Sequence, residues 1–136
     1  MSGGNGNPSP IYSKVGDIQW ATTSLTTQAA DYTGASACNI TIFTANTNGG
    51  YLQRLRFKAG SANNIATVAR VYICNSTVNG FYGEISLPAT FSNTTSSTPE
   101  VDYILNAALP PNYSVKAGLG ATVVGGWWGM GIGGQY

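Results

Sequence analysis

YLQRLRFKAGSANNIATVARVYIC, residues Tyr51 to Cys74, is the stretch that decides the fold. In its first half Tyr51, Gln53, Leu55 and Phe57 fall on one face, and Leu52, Arg54, Arg56 and Lys58 on the other. A period of two is the spacing of a half-buried strand, because successive Cβ atoms leave a pleated backbone on opposite sides. GSANN then reads as a turn carrying Gly60, Asn63 and Asn64. IATVARVYIC is rich in β-branched and aromatic residues, which pack well on a pleated surface. Two long strands joined by a turn are therefore expected at the centre of an all-β domain. Four of the six basic residues lie here, Arg54, Arg56, Lys58 and Arg70, so partners are expected to be read from its charged face.

Working outward, further strands are expected in DIQWAT from Asp17, in CNITIFT from Cys38, in FYGEISLP from Phe81 and in EVDYIL from Glu100. YSVKAGLG from Tyr113 and WWGMGIGG from Trp127 complete the set. Between them lie turn signals, ANTNGG, NSTVNG and NAALPPN, the last through Pro110 and Pro111, which a central strand disfavours. SLTTQAADYTGAS reads as a polar loop, and Phe91 to Pro99 as another. No stretch combines helical period with helix caps. The expectation is a single antiparallel β-sandwich, jelly-roll-like, of about eight strands. It would occupy residues 11–136, preceded by a flexible arm of Gly, Asn, Ser and Pro over residues 1–10.

Composition narrows what such a domain does. At 136 residues the chain can bury one core without metal or disulfide staples. Charged residues make up 8%, far below the usual quarter, and Ser, Thr, Asn and Gly supply the polarity instead. Soluble monomers keep apart by charge, so a chain this poor in it is expected to cover its surface in an assembly. The net charge of +1 argues against a general binder of nucleic acid or of acidic membranes. MSGGNGNPSP lacks the basic and apolar segments of a signal peptide, which makes the Asn-x-Ser/Thr matches at Asn39, Asn75, Asn93 and Asn112 incidental. The uncharged tail after Lys116 is too interrupted by glycine to span a membrane. Cys38 and Cys74 are expected as buried reduced thiols; a disulfide is a matter of geometry that spacing leaves open.

The residue types present leave little room for catalytic chemistry. The absence of histidine removes His-based triads and most zinc sites. Asp17, Asp31, Glu84, Glu100 and Asp102 are the only side-chain carboxylates, and pairing Glu84 with Glu100 or Asp102 as a glycosidase dyad has no specific support in spacing. Gly129, Gly131 and Gly134 match a dinucleotide-loop spacing, but no helix can follow them, so they are expected to mark bulges or close backbone approach. No catalytic, cofactor or metal-binding residue is expected. The basic ladder Arg54, Arg56 and Lys58 has side chains about 7 Å apart, and Glu100 with Asp102 makes an acidic ladder of the same spacing. Two readings stay open: the ladders pair across one sheet, or the basic one meets a partner. In GGWWGMGIGGQY alternation sends Trp128, Met130 and Ile132 to one side and Trp127 to the other. One side is core, and a tryptophan opposite it is an interface anchor. The partner surface is accordingly expected from Arg54, Arg56, Lys58, Arg70, Trp20, Trp127 and Tyr136.

The runs LQRLRFKAGSANNIATVARVYICN, EISLPAT, VDYILNAALPPNYSVKAGLG and the closing GIGGQY resemble a family of small tailed-bacteriophage virion proteins. The resemblance covers roughly residues 15 to 136, and is strongest to capsid cement or decoration proteins. It implies β-sandwich, jelly-roll-like knobs that sit as homotrimers on the major capsid protein lattice of the virion, with no catalytic residue and no cofactor. Gln135 stands where similar sequences often carry Asp, which removes a carboxylate from the tail. A tail or fibre-associated module that binds host glycans through Trp127, Tyr136 and Asn-rich loops, or that joins tail components, is the competing expectation.

Overall fold

A computed structural model of the chain describes residues 13–29, 32–33, 40–60, 63–91 and 95–136. The expected arm, residues 1–10, lies outside these, as do Cys38 and Asp31. Among the described residues there are eight strands: β1 (Val15–Trp20), β2 (Ile40–Thr44), β3 (Gly50–Ala59), β4 (Thr67–Cys74), β5 (Asn79–Leu87), β6 (Glu100–Leu109), β7 (Ser114–Leu119) and β8 (Trp127–Gln135). They form two four-stranded antiparallel sheets packed face to face, in the orders β1-β8-β3-β6 and β2-β7-β4-β5. The fold is an all-β sandwich. Each strand of the first half pairs with its counterpart from the second, β1 with β8, β2 with β7, β3 with β6 and β4 with β5. That nesting is the connectivity of one long hairpin rolled up on itself, with the Asn75–Val78 turn at its tip.

β3 and β4, expected to pair through a turn, lie in different sheets. Alternation shows that each has a buried face; it does not select the neighbour. The described part of the connection between them is tied down at Asn64 instead. Asn64, almost fully buried, donates from Nδ2 to the Gly126 carbonyl (3.1 Å) and accepts from the Gly125 N–H (2.7 Å), while its backbone bonds Thr90 in both directions. The arch is thereby fastened to the β7–β8 loop and to the segment leaving β5, which holds the two strands apart.

The strict alternation of β3 also breaks. A bulge at Gln53 shifts register against β8 and β6, so Leu52 turns inward with Leu55 and Phe57 while Tyr51 turns outward. On β6 the extra residue is absorbed where Asn106 adopts φ +49°, a left-handed backbone that Asn tolerates. Beyond that bulge β6 continues to Leu109, past the expected end near Leu105. β2 is bulged at Ile42 as well, which sends both Ile42 and Phe43 into the core.

The core lies between the sheets. Leu52, Leu55, Phe57 and Trp127 come from one sheet, and Ile42, Phe43, Val71, Val115 and Leu119 from the other. β8 faces it with Trp127, Gly129 and Gly131. A Cβ on Gly129 would sit 2.7 Å from Ile42 Cδ1, and one on Gly131 3.0 Å from Phe43 Cβ. The glycines expected to mark close approach do so: they leave room for the two consecutive side chains of the β2 bulge.

Candidate functional site

The inward turn of Trp127 determines what β8 shows to solvent. Trp127 is fully buried, and it is Trp128, Met130 and Ile132 that point out. This corrects the expectation that Trp127 is the surface anchor. Counting bulk alone favours the Trp128 side as core, but the interior is already filled by Ile42, Phe43 and Phe57 and has space for glycine there. Trp127 Nε1 has no hydrogen-bond partner among the described residues, so this residue serves by its volume.

The outer face of the β1-β8-β3-β6 sheet follows from register. Ile18, Ile132, Arg54 and Ile104 form one row; Trp20, Met130, Arg56 and Asp102 the next; Trp128, Lys58 and Glu100 a third. The β1–β8 half is apolar and exposed, with Trp20 at 64%, Ile18 at 52% and Trp128 at 47% of full accessibility. The β3–β6 half carries both charge ladders. Of the seven residues expected at a partner surface, Trp20, Arg54, Arg56 and Lys58 are therefore brought onto one face.

Within the charged half the ladders pair across the sheet. Asp102 accepts from Arg56 Nε (2.9 Å) and Nη2 (3.1 Å) and from Arg54 Nη1 (3.2 Å), and Glu100 lies 3.6 Å from Arg56 Nη1. The hydrogen bonds from Arg56, with the charges of both guanidiniums, hold the Asp102 carboxyl below the usual carboxylate range, against a smaller upward push from desolvation. The same contact raises Arg56. Lys58 differs. Its Nζ donates to the Thr98 carbonyl (2.6 Å), and no carboxylate of the described residues lies within ion-pair reach of it.

Between the two halves runs a groove of about 430 Å³, lined by Trp20, Trp128, Met130, Gly129 and the stems of Arg56 and Lys58. Two cations and no acid border it.

The other three expected residues lie elsewhere. Arg70 is on the second sheet, its side chain 12% exposed, and is committed internally. It donates to the Ala29 carbonyl (3.1 Å) and the Tyr32 hydroxyl (3.2 Å), stacks over the Tyr32 ring at 4.1 Å and lies 3.5 Å from Glu84. Tyr32 packs on Phe81, and Phe81 on Tyr72, so residues from the β1–β2 connection cover part of this face. A second, shallow depression of about 660 Å³ lies beside Arg70, between Val68, Ser86 and Gly120. Tyr136 is at the far end of β8, its N–H donating to the Gly49 carbonyl and its terminal oxygen accepting from Asn46 and Asn48. Roughly 25 Å of strand separates it from Trp128. Glu84 lies on the sheet opposite Glu100 and Asp102, so those carboxylates do not converge.

No family model matches this chain, and neither does any curated protein or solved structure. Among the described residues no group of three or more Cys, Asp or Glu is placed to hold a metal. What the site offers is a docking surface: aliphatic and indole area, a groove, and a paired charge ladder along one side. Trp128, Met130, Ile18 and Ile132 are the members that sequence reasoning did not place there. The signal for them was present as alternation in both β1 and β8; the side of β8 that faces out was not.

Proposed function

We propose that this protein is a non-enzymatic structural component of a tailed-phage virion, a cement protein that binds the outside of the head and stabilises the major capsid protein lattice. The observation that carries the reading is the apolar β1–β8 half of one outer face, where Trp20, Ile18 and Trp128 stand open together. An exposed apolar patch of this kind, on a chain with 8% charge, serves association. A protein that binds only the assembled lattice stabilises it by mass action, and three copies acting as a trimer add avidity.

The test is co-sedimentation of the purified protein with expanded heads that lack it, followed by quantitative mass spectrometry of the particle. Saturable binding at hundreds of copies per head supports the proposal; a dozen copies, or none, overturns it. The glycan-binding reading is favoured only by the two indoles flanking the groove. The groove's walls are apolar, and the polar side chains that would hydrogen-bond a sugar's hydroxyls are confined to Arg56 and Lys58. Glycan-array binding with low copy number would select it instead.

A further inference from the structure

We infer that the groove between Trp20 and Trp128 receives a segment of a partner protein in which an apolar side chain stands next to a carboxylate. The inference rests on the reading of this face as a protein-docking surface and specifies the chemistry of what docks. Register sets the geometry: Trp20, Met130 and Arg56 are in line across three strands, and Trp128 beside Lys58 forms the neighbouring row. From β1 to β3 is about 10 Å, and from one row to the next about 7 Å, a space the size of one large side chain. Its floor and walls are indole, thioether and methylene.

Charge selects the neighbour of that side chain. Arg56 already gives two hydrogen bonds to Asp102 and faces Glu100. Lys58 stands opposite Glu100 in register, yet it donates to the Thr98 carbonyl and forms no ion pair within the described residues. An ammonium with further hydrogens to give, at the mouth of an apolar groove with no acid in its lining, is complementary to a carboxylate on the incoming chain. The occupant is protein rather than a free anion, because the apolar area continues past the groove over Ile18 and Ile132. A small anion would leave those aliphatic groups wet. Trp, Met and Arg are also the side chains enriched at the centres of protein interfaces.

The test uses two blocked peptides, acetyl-Glu-Leu-Phe-amide and acetyl-Gln-Leu-Phe-amide, titrated into the intact protein while the indole N–H resonances are followed by NMR. The Trp20 and Trp128 signals are expected to move and the buried Trp127 signal to stay. The acidic peptide should bind about fivefold more tightly, the equivalent of about 1 kcal/mol for one exposed charge pair. In Lys58→Gln, which can still donate to Thr98, that preference should vanish while the weaker apolar binding persists. Equal affinities in the native protein, or shifts confined to residues outside the groove, overturn the inference. So does concentration-dependent movement of the Trp20 and Trp128 signals without peptide, which would make a second copy the occupant. Head binding that survives while the peptide preference fails removes this inference alone; loss of head binding with the preference intact removes the cement reading alone.

Discussion

Asp17 and Gln135 show how much one side-chain identity sets locally. Gln135 Nε2 donates to the Asp17 carboxylate (2.8 Å) and to the Thr44 carbonyl (3.1 Å), and its Oε1 accepts from the Asn46 N–H (2.9 Å). An acid at this position would set two carboxylates against each other and lose the donor, so the amide is what this geometry requires. Gln135→Glu is expected to lower stability by about 1–3 kcal/mol at neutral pH. Chemical denaturation of the two proteins side by side measures it. Asp102 responds to pH. Its folded-state pKa is depressed, so its contribution is complete above the unfolded carboxylate range and is lost as pH falls through the folded value. Asp102→Asn should therefore be less stable than the native protein at neutral pH, with the two melting temperatures converging as pH falls below the usual carboxylate range. A constant difference across that range would mean that the carboxylate's charge is not what Asp102 contributes.

At the level of the element, bulges do the positioning. The bulge at Gln53 turns Leu52 inward while keeping Arg54, Arg56 and Lys58 in register with β6 and β8, which is how one strand supplies both core and charge ladder. It is accommodated by Gly133. A Cβ there would stand 2.0 Å from the Tyr51 carbonyl oxygen and 2.9 Å from Leu52 Cα, backbone atoms that cannot swing aside. Gly133→Ala is expected to cost about 1–3 kcal/mol through overpacking. Thermal unfolding would then shift down by roughly 3–10 °C for a domain of this size. An unchanged midpoint would show that the bulge can relax. In the second sheet Arg70 plays the corresponding part for a connection, fastening Ala29 and Tyr32 onto the strand surface. Its commitment there is why a fourth basic residue close in sequence to the ladder does not join it in space. Cys74, free and buried on that sheet, has its thiol pushed up by desolvation, which Lys116 partly opposes.

Across the whole molecule, the β1–β8 half of one outer face brings Trp20, Ile18 and Trp128 together. If the β1–β8 face is the docking surface, its tryptophans should matter for binding and little for folding. Trp20→Ala and Trp128→Ala, both substantially exposed, are expected to change stability by less than about 1 kcal/mol each. Each should weaken head binding about thirtyfold, the loss typical of an interface hot spot near 2 kcal/mol. Sedimentation with heads and a melting curve on the same samples separate the two effects; a large loss of stability with unchanged binding would place these residues in the fold instead of the interface.

The residue order by itself determined the eight strands and the all-β class, because period-two alternation and turn residues are local properties, written in the chain wherever a pleated backbone has one wet face. It also determined that Arg54, Arg56 and Lys58 share a face, since the bulge precedes all three. Only the tertiary structure decided that β3 and β4 belong to different sheets, that Trp127 is core and Trp128 surface, and that Arg70 and Tyr136 stand apart from the ladder. Those outcomes depend on which side of each strand meets an interior already filled by Ile42, Phe43 and Phe57. Occupied volume is a property of the packed molecule, and alternation along a single strand carries no record of it.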